Sequence, residues 1–195
     1  MMGVREKLLE WIQQAKEMRQ FLLVFFFWTA IFSGATFAEE PEDNYPINFK
    51  RYSESIASAG QLHDRHMPFI EKEDYSLVVY LAFDSSEDKS RLGIDKLIRG
   101  TGARYVQLPV DWFQPTPEDY NHFEGAVTAN SERNVLVHCQ MNFRASAFSF
   151  LYRVIESDED FEKAKEELFS VWTPDATWTN FINEVLMLRG VTGRI

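Results

Sequence analysis

The feature that most constrains the fold is an apolar run that ends at a cysteine and leads through a polar turn into a helical pattern. The run is Val135-Leu136-Val137, and His138-Cys139 ends it. The turn Gln140-Met141-Asn142 precedes a helix that we expect to open near Arg144 or Ala145. A continuous apolar strand is typical of a sheet covered on both faces, so Cys139 is predicted to end a buried strand.

This segment also predicts an anion-binding site. A short loop before a helix directs backbone N–H groups and the positive end of the helix dipole to one point, which suits phosphate. The same field stabilises a thiolate at Cys139, and the guanidinium of Arg144 matches phosphate oxygens. Because Cys139 is the only cysteine, no internal disulfide explains it. A small buried hydrophobe is the alternative interpretation.

The rest of the domain alternates between strand-like and helix-like patterns. This alternation predicts an α/β fold with a central, mainly parallel sheet flanked by helices. We predict strands at residues 55–57, 76–82, 105–108 and 135–138, and helices at residues 63–71, 88–100 and 117–130. Apolar faces at helical spacing predict three further helices towards the end of the chain, with residues 157–160 capping the second of them.

The N-terminal region carries a predicted targeting segment. Residues 21–38 have no charge, Arg19 precedes them, and Thr36 and Ala38 occupy small-residue positions before Glu39. This order is typical of a secretory signal peptide spanning residues 1–38, which predicts a periplasmic or secreted protein. An uncleaved membrane anchor is the alternative, since the run is at the lower limit for crossing a bilayer.

The predicted mature chain has a polar leader, residues 39–46, followed by one domain, residues 47–195. The formal net charge of the whole chain is −10, and an acidic surface repels polyanions. Nucleic acid is therefore not expected as a partner, and no membrane contact is expected after signal cleavage.

The motif from His138 to Ser146 resembles the phosphate-binding loop of dual-specificity phosphatases, His-Cys-x5-Arg-Ser/Thr. It is closer still to a bacterial group of phosphatase-like domains related to the phosphatase portion of β-lactamase-hydrolase-like proteins. The turn at residues 58–61, the segment at residues 108–112 and the helix start at residues 116–119 also resemble that group. The resemblance extends over residues 47–155.

The resemblance implies a two-step phosphoryl transfer from a phosphorylated small molecule or a phosphoprotein, with no cofactor and no metal. Cys139 would attack phosphorus, Asp111 would act as general acid and base, and Arg144 would bind the phosphate. The resemblance also implies supporting roles for His138 and Ser146. The phosphate-binding positions implied are Gln140, Met141, Asn142, Phe143 and Arg144.

The arginine departs from the pattern, because Arg144 is the fifth residue after Cys139 and Ala145 takes the sixth position. With the family's loop, Ala145 would face the anion; with a loop one residue tighter, Arg144 would. A phosphatase-like anion-binding module without turnover is therefore an alternative function. A rhodanese-like sulfurtransferase is a further alternative, because that class also uses a strand-end cysteine in an anion-binding loop. His63 and His66 lack a third metal-ligand signal and are interpreted as surface residues.

Overall fold

The strand that leads to Cys139 lies in the middle of a five-stranded sheet. The computed structural model describes residues 44–82, 93–130 and 134–195. Their strand order is β1-β2-β5-β3-β4; only β1 runs antiparallel to its neighbour. The predicted α/β class with a mainly parallel sheet is confirmed. The strands are β1 (Lys50–Arg51), β2 (Ile56–Ala59), β3 (Leu77–Tyr80), β4 (Arg104–Gln107) and β5 (Val135–His138).

All four residues of β2, β3 and β5 are buried, as expected for strands covered on both faces. Ala59 and Tyr80 both pair with His138, so β2, β3 and β5 end at the same level. Cys139 follows directly at the carboxyl edge of the sheet. The four predicted strands are present with boundaries that differ by up to two residues. The sequence analysis missed β1, a two-residue strand of Lys50 and Arg51.

Six helices accompany the sheet in the described residues. The predicted helix at residues 63–71 is a 3-10 turn, Asp64–His66, followed by the α-helix Met67–Lys72. Of the helix predicted at residues 88–100, residues 88–92 lie outside the described residues. Asp160 caps α5 by accepting a hydrogen bond from Lys163 N at 2.8 Å, within the predicted cap region. The helices are α1 (Met67–Lys72), α2 (Ile94–Gly100), α3 (Pro117–Thr128), α4 (Phe143–Glu156), α5 (Phe161–Val171) and α6 (Ala176–Leu188).

The helix that follows the cysteine loop, α4, is buried along most of its length, with ten of its fourteen residues buried. The Phe148 ring lies 5.4 Å from the rings of Phe123 on α3 and Phe181 on α6, measured between centroids. Neighbours on several sides fix the position of α4. Its first turn is therefore held firmly beside the end of β5.

A buried arginine joins α4 to α5. Arg153 is 1% exposed, and its Nε donates to Glu159 at 2.7 Å, while Nη2 bonds to Glu167. Its guanidinium also lies 4.0 Å from the Tyr52 ring centroid. A buried charge with these partners is tolerated, but removing one partner leaves the other uncompensated.

The described chain begins with residues that pack on the domain. The Tyr45 ring lies 5.3 Å from the rings of Phe49 and Phe69, and Pro46 is buried. Residues 44–46 of the predicted leader therefore dock on the domain. Residues 39–43 and the predicted signal peptide, residues 1–38, lie outside the described residues. In the described part of the chain, no helix has the length and apolar character to cross a membrane.

The interpretation of His66 as a surface residue is wrong. His66 is 1% exposed, its Nδ1 accepts from His63 N at 3.0 Å, and its Nε2 lies 3.2 Å from Arg65 Nε. Burial, and next the charge of Arg65, lower the pKa of His66 to about 4. The Nδ1 atom serves the 3-10 turn, because the first turn of a helix presents backbone N–H groups that need acceptors. No cluster of three or more metal-ligating side chains occurs in the described residues.

Candidate active site

Cys139 lies at the carboxyl edge of the sheet, between the ends of β2 and β3. Its backbone N–H donates to the Ala59 carbonyl at 3.2 Å, and Leu81 N donates to the His138 carbonyl at 3.0 Å. The residue is 1% exposed. Burial alone also fits a small core hydrophobe, so the chemistry depends on the groups around the cysteine.

The loop after Cys139 contains only three residues before α4. Gln61 N donates to the Gln140 carbonyl at 2.9 Å. In a trans peptide the carbonyl and the next N–H point in opposite directions, so the Met141 N–H points away from Gln61. Asn142 has φ 69°, the left-handed conformation that asparagine tolerates. The helix then begins at Phe143, one residue earlier than predicted.

The tight loop places Arg144 in the first turn of α4, where it is 6% exposed. Its Nε donates to the Val110 carbonyl at 3.0 Å, and its guanidinium carbon lies 5.2 Å from the Trp112 ring centroid. Burial lowers the pKa of Arg144, while the nearby charges of Cys139 and Asp111 act to raise it. The structure therefore brings Arg144, Cys139 and Asp111 into one electrostatic neighbourhood.

Backbone hydrogen bonds tie the segment after β4 to the same edge of the sheet. Leu108 N donates to the Tyr80 carbonyl at 2.9 Å, and Val110 N donates to the Leu81 carbonyl at 3.0 Å. Asp111 follows and is exposed. Its Oδ1 accepts from Phe113 N at 2.7 Å and Gln114 N at 3.2 Å. Asp111 thus holds a turn, as Asp commonly does, while its charge remains near Arg144.

The two predicted supporting residues are placed differently. His138 is buried and its ring centroid lies 4.8 Å from that of Tyr80, beneath the cysteine loop. The Ser146 hydroxyl donates to the Phe143 carbonyl at 3.0 Å and accepts from Trp172 Nε1 at 3.1 Å. A hydroxyl has a single proton to donate, so assistance to the Cys139 thiolate by Ser146 would require the bond to Phe143 to break.

The sequence analysis missed an aromatic wall beside Arg144. The Phe143 ring stacks on Trp172 at 4.9 Å, and Trp112 lies 5.6 Å from Trp172 and 5.1 Å from Trp178. Trp178 Nε1 also donates to the Trp112 carbonyl at 3.1 Å. Helical spacing predicted the helix that carries Trp178, but it gave no signal that three tryptophans meet at the start of α4.

Comparison with solved structures shows related folds. A candidate phosphatase of the DUF442 group from Shewanella putrefaciens CN-32 is 26% identical, with a TM-score of 0.65 over 76% of this chain and 96% of that chain. TpbA of P. aeruginosa is 18% identical, with a TM-score of 0.59 over 73% of this chain and 89% of that chain. The core catalytic domain of the S. cerevisiae PP-IP phosphatase SIW14 is 14% identical, with a TM-score of 0.58 over 77% of this chain and 97% of that chain.

The Shewanella protein and SIW14 are named as phosphatases, and a TpbA variant with serine in place of a cysteine was solved in complex with phosphotyrosine. No protein-family model matches the chain, and no curated protein matches it in sequence. The sheet order, the strand-end cysteine and these neighbours together define the fold class. The chain carries a protein tyrosine/dual-specificity phosphatase-like domain, as its sequence resemblance predicted.

Proposed function

We propose that this protein is an exported cysteine-dependent phosphatase that hydrolyses a phosphomonoester or phosphoprotein through a Cys139-phosphate intermediate. The observation that carries the proposal is the position of Arg144, fixed at the Val110 carbonyl and electrostatically linked to Cys139 and Asp111. A nucleophile, a cation and a carboxylate near one helix N-terminus are the groups that metal-free phosphoryl transfer needs.

In the first step, the Cys139 thiolate attacks phosphorus as the bond from phosphorus to the leaving oxygen breaks. Arg144 and the N-terminus of α4 stabilise the charge on the phosphoryl oxygens. The protonated carboxyl of Asp111 gives its proton to the leaving oxygen. The products are a free alcohol, a Cys139-phosphate and an ionised Asp111.

In the second step, water attacks the phosphorus of the Cys139-phosphate and the sulfur leaves as a thiolate. The Asp111 carboxylate takes a proton from that water and returns to its starting state. Inorganic phosphate is released. The cycle consumes one water and needs no metal or redox partner.

The names and contents of two neighbouring structures, together with the charge of the chain, support the proposed substrate class. TpbA was solved with phosphotyrosine bound, and SIW14 is named a PP-IP phosphatase. We propose a phosphorylated small molecule or phosphoprotein as the substrate here. The formal charge of −10 makes nucleic acid a poor partner, and the predicted signal peptide supports action in the periplasm or outside the cell.

Turnover of p-nitrophenyl phosphate by the purified chain tests the proposal. Wild-type protein should release p-nitrophenol, orthovanadate should inhibit, and acid-quenched samples should contain a phosphate adduct on Cys139 by mass spectrometry. Cys139→Ser keeps the size of the side chain but lacks the thiolate, so it should abolish both turnover and the adduct. Turnover that persists in Cys139→Ser would overturn the mechanism.

An anion-binding module without efficient turnover is the second candidate. One observation favours it, because Asp111 is exposed and its Oδ1 already accepts two backbone hydrogen bonds in its own turn. This function predicts oxyanion binding to the wild-type chain without detectable hydrolysis. Calorimetry with tungstate beside the turnover assay separates the two functions.

A further inference from the structure

Two asparagines 94 residues apart clamp the cysteine loop to the first described segment of the chain. Asn142 Nδ2 donates to the Asn48 carbonyl at 2.5 Å, and Asn48 Nδ2 donates to the Met141 carbonyl at 3.0 Å. The Asn142 side chain thus binds the backbone of Asn48, and the Asn48 side chain binds the backbone of the residue before Asn142. Both residues have left-handed backbones, with φ 52° at Asn48 and φ 69° at Asn142.

We propose that Asn48 is a positioning residue for the phosphate site, acting through the Asn48–Asn142 clamp to hold the cysteine loop in its anion-binding shape. The proposal rests on the function proposed above and adds a residue that lies outside the motif. Asn48 would not touch the substrate. It would fix the path of the loop at Met141 and Asn142, between Cys139 and the start of α4.

The side chain at position 142 serves the clamp more than the local backbone. Glycine adopts the left-handed conformation at lower cost than asparagine, so conformation alone does not require Asn142. The Asn142 side chain does not cap α4. Its Oδ1 is buried and has no hydrogen-bond partner among the described residues, which costs free energy. The bond from Nδ2 to Asn48 is the interaction that this side chain gains in return.

A third segment completes the support around the loop. Gly60 N donates to the Ile47 carbonyl at 2.7 Å, and Gly60 forms an antiparallel bridge with Met141. A Cβ atom on Gly60 would lie 2.1 Å from the Ile47 side chain and 2.8 Å from the Gln140 carbonyl oxygen. The backbone here approaches closely enough to require glycine. Segment 47–48 therefore packs directly against the turn that holds the cysteine loop.

The test uses glycine variants, since glycine keeps the left-handed backbone while removing the side-chain bonds. Asn48→Gly and Asn142→Gly are compared with Asp74→Gly, which replaces another left-handed residue, φ 52°, before β3 at the opposite edge of the sheet. Calorimetry measures the tungstate affinity of each full-length variant. Turnover of p-nitrophenyl phosphate gives kcat/KM, and thermal unfolding gives the melting temperature of the same samples.

We expect each clamp variant to weaken tungstate binding by about fivefold, the value of one hydrogen bond, and to lower kcat/KM similarly. Asp74→Gly should bind tungstate as the wild type does. The double variant should lose less than the product of the single losses, because both bonds belong to one clamp. If one variant does not fold, the other still reports on the clamp.

Wild-type tungstate affinity in both folded clamp variants would overturn the positioning role while leaving the proposed phosphatase function in place. Failure of the wild-type chain to bind tungstate would instead overturn the proposed function, and the positioning role with it. Equal losses of affinity in Asp74→Gly would also overturn the role, since they would show a general effect of stability on the site.

Discussion

Arg144 Nε donates a hydrogen bond to the Val110 carbonyl over 3.0 Å, and this bond joins the first turn of α4 to the segment that carries Asp111. The bond fixes the direction of the guanidinium. A guanidinium has five N–H donors, and we propose that a bound phosphate accepts hydrogen bonds from this one.

Replacing Arg144 should weaken anion binding. Arg144→Ala removes charge-assisted hydrogen bonds worth roughly 1.5–3 kcal/mol each, so we expect at least about tenfold weaker tungstate binding. Arg144→Lys should restore little, because an ammonium lacks the planar fork that reaches Val110 and an oxyanion together. Calorimetric titration with tungstate measures both.

Arg99→Ala is the matched control for the Arg144 variants. Arg99 also donates to a backbone carbonyl, that of Tyr105 at 3.0 Å, and lies over an aromatic ring, but it belongs to α2. Its loss should leave tungstate affinity unchanged. Unchanged tungstate affinity in Arg144→Ala would mean that the anion site does not use this arginine.

The strand and helix pattern was predictable because each central element carries a strong local signal. Val135 to Val137 is apolar without interruption, and helical spacing marks α4 to α6. The two-residue strand β1 has no such signal. Its residues pair with Ser58 and Ala57, so its conformation depends on a tertiary contact that local sequence does not encode.

The site was predictable where its residues lie in one motif or, as with Asp111, match the family that the sequence resembles. The cysteine loop and Arg144 lie in one motif. Asn48 and Trp172 are distant in sequence from Cys139, and no motif marks them. The contact of Asn48 with the loop and that of Trp172 with α4 therefore emerge only from packing. His66 shows the same limit, because its burial depends on the turn in which its Nδ1 accepts from His63 N.

Export predicts a defined mature N-terminus. The uncharged run at residues 21–38 and the small residues Thr36 and Ala38 place cleavage before Glu39. Intact mass spectrometry of protein from the periplasmic fraction should give a chain that begins at or near Glu39. A full-length mass in the membrane fraction would instead establish an uncleaved anchor.

Acid should destabilise the domain in two separate pH ranges. His66 has a pKa of about 4 in the folded chain, below its ordinary value of 6.5, so the unfolded chain binds the extra proton and stability falls as pH drops from about 6.5 to 4. The pKa of Glu159 is lowered from 4.5 to about 2, chiefly by its hydrogen bond from Arg153. Its contribution is present above pH 4.5 and is lost between about 4.5 and 2.

Urea unfolding at successive pH values measures both ranges. Each contribution is of order 2–3 kcal/mol when fully lost. His66→Asn keeps an acceptor near the His63 N–H and should remove only the loss of stability in the upper pH range. Glu159→Gln should remove only the loss of stability in the lower pH range. If the free energy of unfolding depends on pH in both variants as it does in the wild type, other groups cause the acid sensitivity.

Asp111→Asn separates the catalytic role of Asp111 from its role in the turn. The amide oxygen of asparagine can still accept the hydrogen bonds from Phe113 and Gln114 that Oδ1 accepts now, so the turn should persist. What asparagine lacks is the proton for the leaving oxygen. For alkyl phosphates, whose leaving groups need that proton, kcat should fall by about 10²–10⁴. For p-nitrophenyl phosphate, whose leaving group departs without one, the loss should be much smaller.

Tungstate affinity should stay close to that of the wild type, because Arg144 and the loop are unchanged. Equal losses of kcat for both leaving groups, together with weaker tungstate binding, would mean that Asp111 acts only by shaping the turn beside Arg144.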